Sequence, residues 1–291
     1  MIIRFIKYHI LKLKKSISYM GHTKKENPFI SVITPVKNGA ETIKKTIDSI
    51  REQSFKDFEY IVIDSKSNDD TEQIIMDNKD LVDVYVREND EGIYDAMNKG
   101  IELAKGEYIS IINSDDYLNI NAFQEVYNHS LLDNNVVFYS DMIIFNNYTK
   151  KRIINQGKIS KDSIFKSTLE INHPTVFIPK SIYKKYGLFD KQFRFSADRE
   201  LIIRLLFKKV KFKKLNTVLA LFSLGGLTSK YSLQIVIEES FSEYKLLNRY
   251  TNKKTALIFS IITFLRLFRN LFLYKLLPKE LFLNLRLLKI S

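Results

Sequence analysis

Between residues 29 and 113 the chain repeats one unit: an apolar run of strand length, a polar turn, and a segment whose apolar residues recur at helical spacing. The runs are 29–35 (FISVITP), 59–64 (EYIVID), 82–87 (VDVYVR) and 107–113 (EYISIIN). The helical segments are 40–53, with Ile43, Ile47 and Ile50 on one face, a second reaching about Met76, and a third over 93–104. Strands that alternate with helices predict a mostly parallel sheet covered by helices on both faces. With 291 residues and 45% hydrophobic content, there is enough apolar material for such a core.

In sheets of this kind ligands bind beyond the carboxyl ends of the strands. The residues there are Lys37 and Asn38, Asp64, Asp90 and Glu91, then Ser114, Asp115 and Asp116. Acids gathered on one edge repel unless a cation compensates, so a divalent metal carrying a phosphorylated substrate fits them. Asp115 and Asp116 are the sharpest feature: neighbouring carboxylates can hold a hard cation and a ribose, or cap the next helix. Asp64 suits a hydrogen bond to a base or ribose, or a turn role in the 64–70 loop. The first turn, PVKNGA, has a single glycine, which disfavours dinucleotide and P-loop phosphate cradles. The chain has no cysteine, excluding disulfides, thiolate zinc sites and a thiol nucleophile.

The formal net charge of +13 is not spread evenly. Residues 1–27 carry seven bases and one acid, net +6, and residues 245–291 carry ten bases and one acid, net +9, which leaves the middle at −2. No basic stripe lines the middle, so nucleic acid is not expected as a partner. At the N-terminus Ile3, Ile6, Ile10, Leu13 and Ile17 would form one stripe of a basic amphipathic helix, with no uninterrupted signal-peptide core. Towards the C-terminus, Arg266 and Arg269 interrupt an apolar stretch and would share one helix face, leaving Leu265, Phe268, Phe272 and Leu276 on another. That pattern predicts a helix lying in the interface of an anionic membrane rather than one spanning it; the alternative is that both ends pack on the core or on another subunit, with their lysines merely solvated.

The ordered set ISVITPVKN, EYIVIDSKSNDDT, DEGIYDAMNKGI, AKGEYISIINSDD, HPTVFIPKSIYKKYGLFD, FSADRELIIRLL and a later Gly-Gly resembles family 2 glycosyltransferases over roughly residues 28–228. The likeness is greatest to the bacterial branch that builds O-antigen and capsule chains. The resemblance implies a GT-A fold, an α/β architecture with a Rossmann-like sheet, and inverting transfer from a nucleotide diphosphate sugar, with Mn²⁺ or Mg²⁺ as cofactor. It implies that Thr34 and Pro35 frame the nucleobase, that Asp64 binds base or ribose, and that Asp95 lies near the nucleotide. Asp115 and Asp116 match the metal and donor site, with Asp116 the metal ligand, and Asp198 matches the general base. His173 and Glu200 become candidates on the acceptor side or as metal ligands. Lys37 stands where the family usually has an aromatic, and Arg199 and Glu200 also depart from its pattern; these read as changes of specificity.

The expected organisation is a basic N-terminal segment (1–27), a catalytic domain (28–230) and a helical membrane-associating region (231–291). The expected acceptor is lipid-linked, and the expected location is the cytoplasmic face of the plasma membrane. Two other readings compete: a sugar-1-phosphate nucleotidyltransferase, disfavoured by the glycine-poor first loop, and a non-catalytic membrane-binding module.

Overall fold

A computed structural model describes residues 17–19, 26–133, 135–146, 151–159, 172–224 and 232–288. The strands among them are β1 (Ile17–Tyr19), β2 (Ile30–Val36), β3 (Phe58–Asp64), β4 (Val84–Arg87), β5 (Tyr108–Ile111), β6 (Tyr117–Leu118), β7 (Val137–Asn146), β8 (Arg152–Asn155), β9 (Phe177–Pro179) and β10 (Phe212–Leu224). The helices are α1 (Ile43–Arg51), α2 (Thr71–Asp77), α3 (Ile93–Leu103), α4 (Ala122–Ser130), α5 (Lys180–Tyr186), α6 (Ala197–Phe207), α7 (Leu233–Tyr250), α8 (Lys253–Leu276) and α9 (Lys279–Leu288).

All ten strands join one sheet in the order β1-β4-β3-β2-β5-β9-β7-β10-β6, with β8 paired to β7. The ladders β4-β3-β2-β5 and β7-β10 are parallel and hold most of the paired residues; the other pairings are antiparallel. Alternation along each strand feeds two cores. Ile30, Val32 and Val36 pack with Ile43, Ile47 and Ile50 of α1, Ile75 of α2 and Phe123 of α4 on one face. On the other, Ile33, Ile61 and Ile63 pack with α3, α5 and α6. Removing each such isoleucine from water is worth about 1.5–3 kcal/mol, and together they fix the register of the strands that carry the site. A Cβ on Gly100 would come within 2.4 Å of Ile33, so glycine is what lets α3 lie directly on β2.

One expectation changes. Ile17, assigned by its spacing to an N-terminal helix, lies instead in β1, antiparallel to β4. Three residues suffice there because β4 would otherwise be an uncovered edge. The remaining positions of that expected stripe, like the glycine pair at 225–226, lie outside the described residues.

The C-terminal helices pack on the rest of the fold. Leu246, Leu247 and Ala256 are buried in one core, and Phe282 and Leu283 in the other. Helices α7 and α8 pack together through Val236, Leu267 and Leu271, and the Ser260 hydroxyl donates to the Ser240 carbonyl at 2.7 Å.

Candidate functional site

The chain runs outward from β2 through β3 to β4, then returns to place β5 on the other side of β2. That reversal makes the gap beyond β2 and β5 the switch point of the sheet, where a crevice opens. The last rung shared by the two strands is Ile33 with Ile111. Beyond it comes Pro35, which has no N–H to donate, so the strands separate without wasting a rung. A Cβ on Gly39 would meet Val36 at 2.7 Å and the Ser114 hydroxyl at 3.2 Å, so the loop after β2 and the loop after β5 touch at this glycine.

The loop after β2 is braced by the loop after β3. Asn38 has φ +52°, and its amide donates to the Ser67 hydroxyl (2.8 Å) while its Oδ1 accepts from the Asn68 amide (2.9 Å). The Gly39 amide donates to Thr71 Oγ1 (2.8 Å) and the Ala40 amide to Asp69 Oδ2 (3.0 Å). Lys66, where glycine is usual, adopts φ +49°, so the strained backbone is kept without glycine's freedom. Lys37 and Asn38 are exposed at the mouth of the crevice.

Asp64 and Thr34 are placed differently from what the resemblance implies. The Asp64 side chain is fully buried; Oδ1 accepts from the Ser67 amide (2.8 Å) and hydroxyl (2.6 Å), and Oδ2 from the Tyr85 hydroxyl (2.9 Å) with Arg87 Nε at 3.5 Å. This carboxylate closes its own loop and presents nothing to a nucleotide. Thr34 is equally buried and accepts from the Tyr60 hydroxyl at 3.1 Å. Asp95, in the first turn of α3, pairs with Lys191 at 2.8 Å and Lys99 at 3.3 Å. Burial alone would raise its pKa, but Lys191, the Glu91 amide and Lys99 together hold it below the ordinary value.

Asp115 and Asp116 follow β5. Helix α1 fixes their backbone, since the Thr46 hydroxyl donates to the Asp116 carbonyl at 2.9 Å. The Asp116 side chain is fully buried, with Oδ2 accepting from Asn113 Nδ2 at 3.1 Å, whereas Asp115 is partly exposed. Burial raises the pKa of both, and the charge of Asp115 pushes Asp116 well above its ordinary value. Asp116 Oδ1 and Asn113 Oδ1 are buried without a hydrogen-bond partner. Orphaned oxygens beside a second carboxylate fit a hard divalent cation, which prefers oxygen ligands. Among the described residues no group of three or more His, Cys, Asp or Glu side chains forms a metal cage. Such a donor set suits an ion that arrives with substrate oxygens of its own.

Asp198 sits in the first turn of α6, half-buried. It lines a cavity with His173, Tyr183, Phe189 and, from the end of β5, Ile111. His173 opens a 3₁₀ turn (His173–Thr175); burial lowers its pKa, opposed by the charge of Asp198, and its Nε2 has no hydrogen-bond partner. The structure therefore brings His173 and Asp198 into one cavity.

Glu200 is elsewhere. Fully buried, it accepts from Arg204 (3.0 Å), Arg249 (3.1 Å) and the Tyr250 hydroxyl (2.8 Å). With both oxygens engaged by α6 and α7 it is neither an acceptor contact nor a metal ligand. Arg199 likewise pairs with Glu243 of α7 in the interior, so both departures in the SADRE motif are packing residues rather than specificity residues. Sequence reasoning missed the partner of Asp198: the Tyr94 hydroxyl of α3 donates to its Oδ1 at 2.9 Å. The only signal was a tyrosine within EGIYDAMNKG, one of 16 in the chain.

Comparison with known proteins agrees with this architecture. The chain is 31% identical over 189 residues to an uncharacterised glycosyltransferase of Rickettsia typhi, covering 62% of this chain and 59% of that one. It is 29% identical over 188 residues to a PGL/p-HBAD biosynthesis glycosyltransferase of Mycobacterium tuberculosis, covering 61% and 69%. It thus spans about three fifths of the length of the Rickettsia relative. Among solved structures, Staphylococcus aureus TarS 1–349 in complex with UDP-GlcNAc superposes with a TM-score of 0.58 at 16% identity, over 80% of this chain and 72% of that one. A mannosyltransferase of Pyrobaculum calidifontis in complex with GDP-Man and Mn²⁺ gives 0.59 at 15% identity, over 89% and 81%. These likenesses confirm the mixed α/β sheet flanked by helices. The glycosyl transferase family 2 model matches residues 31–188, more than half of the chain, and the chain belongs to that family.

Proposed function

We propose that the protein is an inverting glycosyltransferase that moves a sugar from a nucleotide diphosphate sugar to a lipid-linked saccharide during assembly of a bacterial surface polysaccharide. One observation carries the reading: Asp198 lies in a cavity that reaches Ile111 of β5, the strand whose loop bears Asp115 and Asp116. A base and a diphosphate site must flank one anomeric carbon for inversion in a single displacement, and a carboxylate on α6 with a carboxylate pair after β5 supports that reading.

In this reading Asp198 accepts the proton of the attacking acceptor hydroxyl, and no covalent intermediate forms. Asp115 and Asp116 would hold a divalent cation, which when bound supplies positive charge to the departing diphosphate. Lys37 and Asn38, exposed at the crevice mouth, bind the donor's phosphates and nucleoside, and Pro35 shapes the crevice floor. His173 borders the acceptor. The nucleotide sugars in the two solved neighbours support a donor of this class.

The surface of the C-terminal helices supports membrane attachment. Helix α8 has a mean hydropathy of 1.8 over its most apolar window, only 22% of which is buried. Leu257, Ile261, Leu265, Phe268, Phe272 and Leu276 form an exposed stripe. Arg266 is half-buried, with a buried Nε and its charge acting on Glu239 of α7, while Arg269 stays exposed. The helix carries no acid, and an apolar face with basic flanks fits the interface of an anionic bilayer. The enzyme then works on the cytoplasmic face of the plasma membrane.

The test is turnover of a panel of nucleotide sugars by the full chain with Mn²⁺ or Mg²⁺ and membrane-extracted acceptor. Product of inverted configuration, lost in Asp198→Asn, is the expected result. Release of pyrophosphate from a nucleoside triphosphate, with no glycoside formed, would overturn it.

A further inference from the structure

We infer that Tyr94 is a positioning residue that holds the Asp198 carboxylate in the orientation from which it takes the acceptor's proton. The inference rests on the assignment of Asp198 as base.

The tyrosine is 9% exposed and its hydroxyl spans from α3 to the first turn of α6, joining residues 104 apart in sequence. Its ring is fixed before the hydroxyl reaches Asp198. It lies against Phe189 with ring centres 5.4 Å apart, and Phe189 is itself clamped to α3: Asn98 Nδ2 donates to the Phe189 carbonyl (2.9 Å) and the Phe189 amide donates to Asn98 Oδ1 (3.0 Å). Phe189 also meets His173, edge-on at 6.0 Å, and Tyr183 at 6.3 Å. Tyr94, Phe189 and His173 therefore form one packed wall beside the carboxylate.

The bond ties Oδ1 and so sets the direction of Oδ2. Burial and the adjacent carboxylate raise the Tyr94 hydroxyl well above its ordinary pKa, so it remains a donor throughout the working range. Keeping such a bond at a base is useful where orientation limits the rate more than basicity does, because small misplacements cost up to about 100-fold.

The experiment compares Tyr94→Phe, Asp198→Asn and the double variant in the full chain, measuring kcat for transfer, KM for the nucleotide sugar, and the thermal shift produced by nucleoside diphosphate. Tyr94→Phe is expected to lower kcat about 10- to 100-fold with donor KM and thermal shift unchanged. In the Asp198→Asn background it should have no further effect, because a residue acting only through Asp198 has nothing left to act on. A kcat within twofold of the parent, a matching loss of donor binding, or a full additional loss in the double variant would each overturn the inference. Undiminished turnover by Asp198→Asn alone would instead remove the base assignment, and the two failures are distinguishable.

Discussion

Arg199 and Glu243 face each other in the interior between α6 and α7, each side chain only 5% exposed. They stand one residue from Asp198 on one side and in the middle of the first C-terminal helix on the other. Removing one partner leaves the opposite charge without its counter-ion in a low-dielectric setting. Glu243→Ala is expected to lower the unfolding free energy by about 3–5 kcal/mol, whereas the paired replacement Arg199→Met with Glu243→Leu should be near neutral. Urea unfolding of the three proteins decides this; equal losses in single and double variants would refute it.

Asp64 is the second case where a carboxylate stabilises the fold. Tyr85→Phe removes one donor to a charged acceptor and is expected to cost about 1.5–3 kcal/mol. Nucleotide affinity should change little, because Asp64 has no exposed surface. Isothermal titration with nucleoside diphosphates, alongside denaturant midpoints, separates the two effects.

Asp95 governs part of the acid limb of stability. Its folded pKa lies below the ordinary 3.8, so its contribution is complete above that value and is lost as pH falls through the folded one. Unfolding free energy measured below about pH 4 should therefore fall more steeply in the parent than in Asp95→Asn. Parallel curves would show that the Lys191 and Lys99 pairings add nothing.

The proposed cation site at the orphaned oxygens of Asp116 and Asn113 predicts a metal-dependent stabilisation. Nucleoside diphosphate with Mn²⁺ should raise the melting temperature more than either alone, and chelation should return it to the nucleotide-only value. Asp116→Asn should abolish the metal-dependent part. A shift that survives this change would move the cation elsewhere.

The stripe on α8 predicts flotation with anionic vesicles. Leu265→Glu with Phe268→Glu should release the protein, and raising salt should weaken the parent's binding, since each interfacial base is worth about 1 kcal/mol. Equal binding to neutral and anionic vesicles would leave only the apolar contribution.

What sequence could disclose followed the range of the interactions. The strand, turn and helix repeat was readable because period and turn chemistry are local, and Ile43, Ile47 and Ile50 lie in the core that their spacing predicts. The acids after β5 could be singled out because topology alone sends strand ends to one edge of the sheet. Asp64 was misread because its partners, Tyr85 and Arg87, arrive on the next strand. Glu200 was misread because Arg249 and Tyr250 belong to a segment whose composition speaks of membranes. Ile17 was misread because the demand for a strand came from the edge of β4 and not from residues 17–19 themselves.

The family match ends at residue 188, yet Asp198 and its helix are clamped by Glu243, Arg249 and Tyr250. Inherited likeness and mechanical completeness thus have different boundaries in this chain. A shortened protein meant for crystallisation or engineering should retain α7 through Thr251, since cutting at 230 would take Glu243 from Arg199 and leave Glu200 with Arg204 but without Arg249 and Tyr250, beside the candidate base. Trimming from α8 onward would cost the contact of Leu267 and Leu271 with Val236 and also remove Ala256, Phe282 and Leu283 from the two cores.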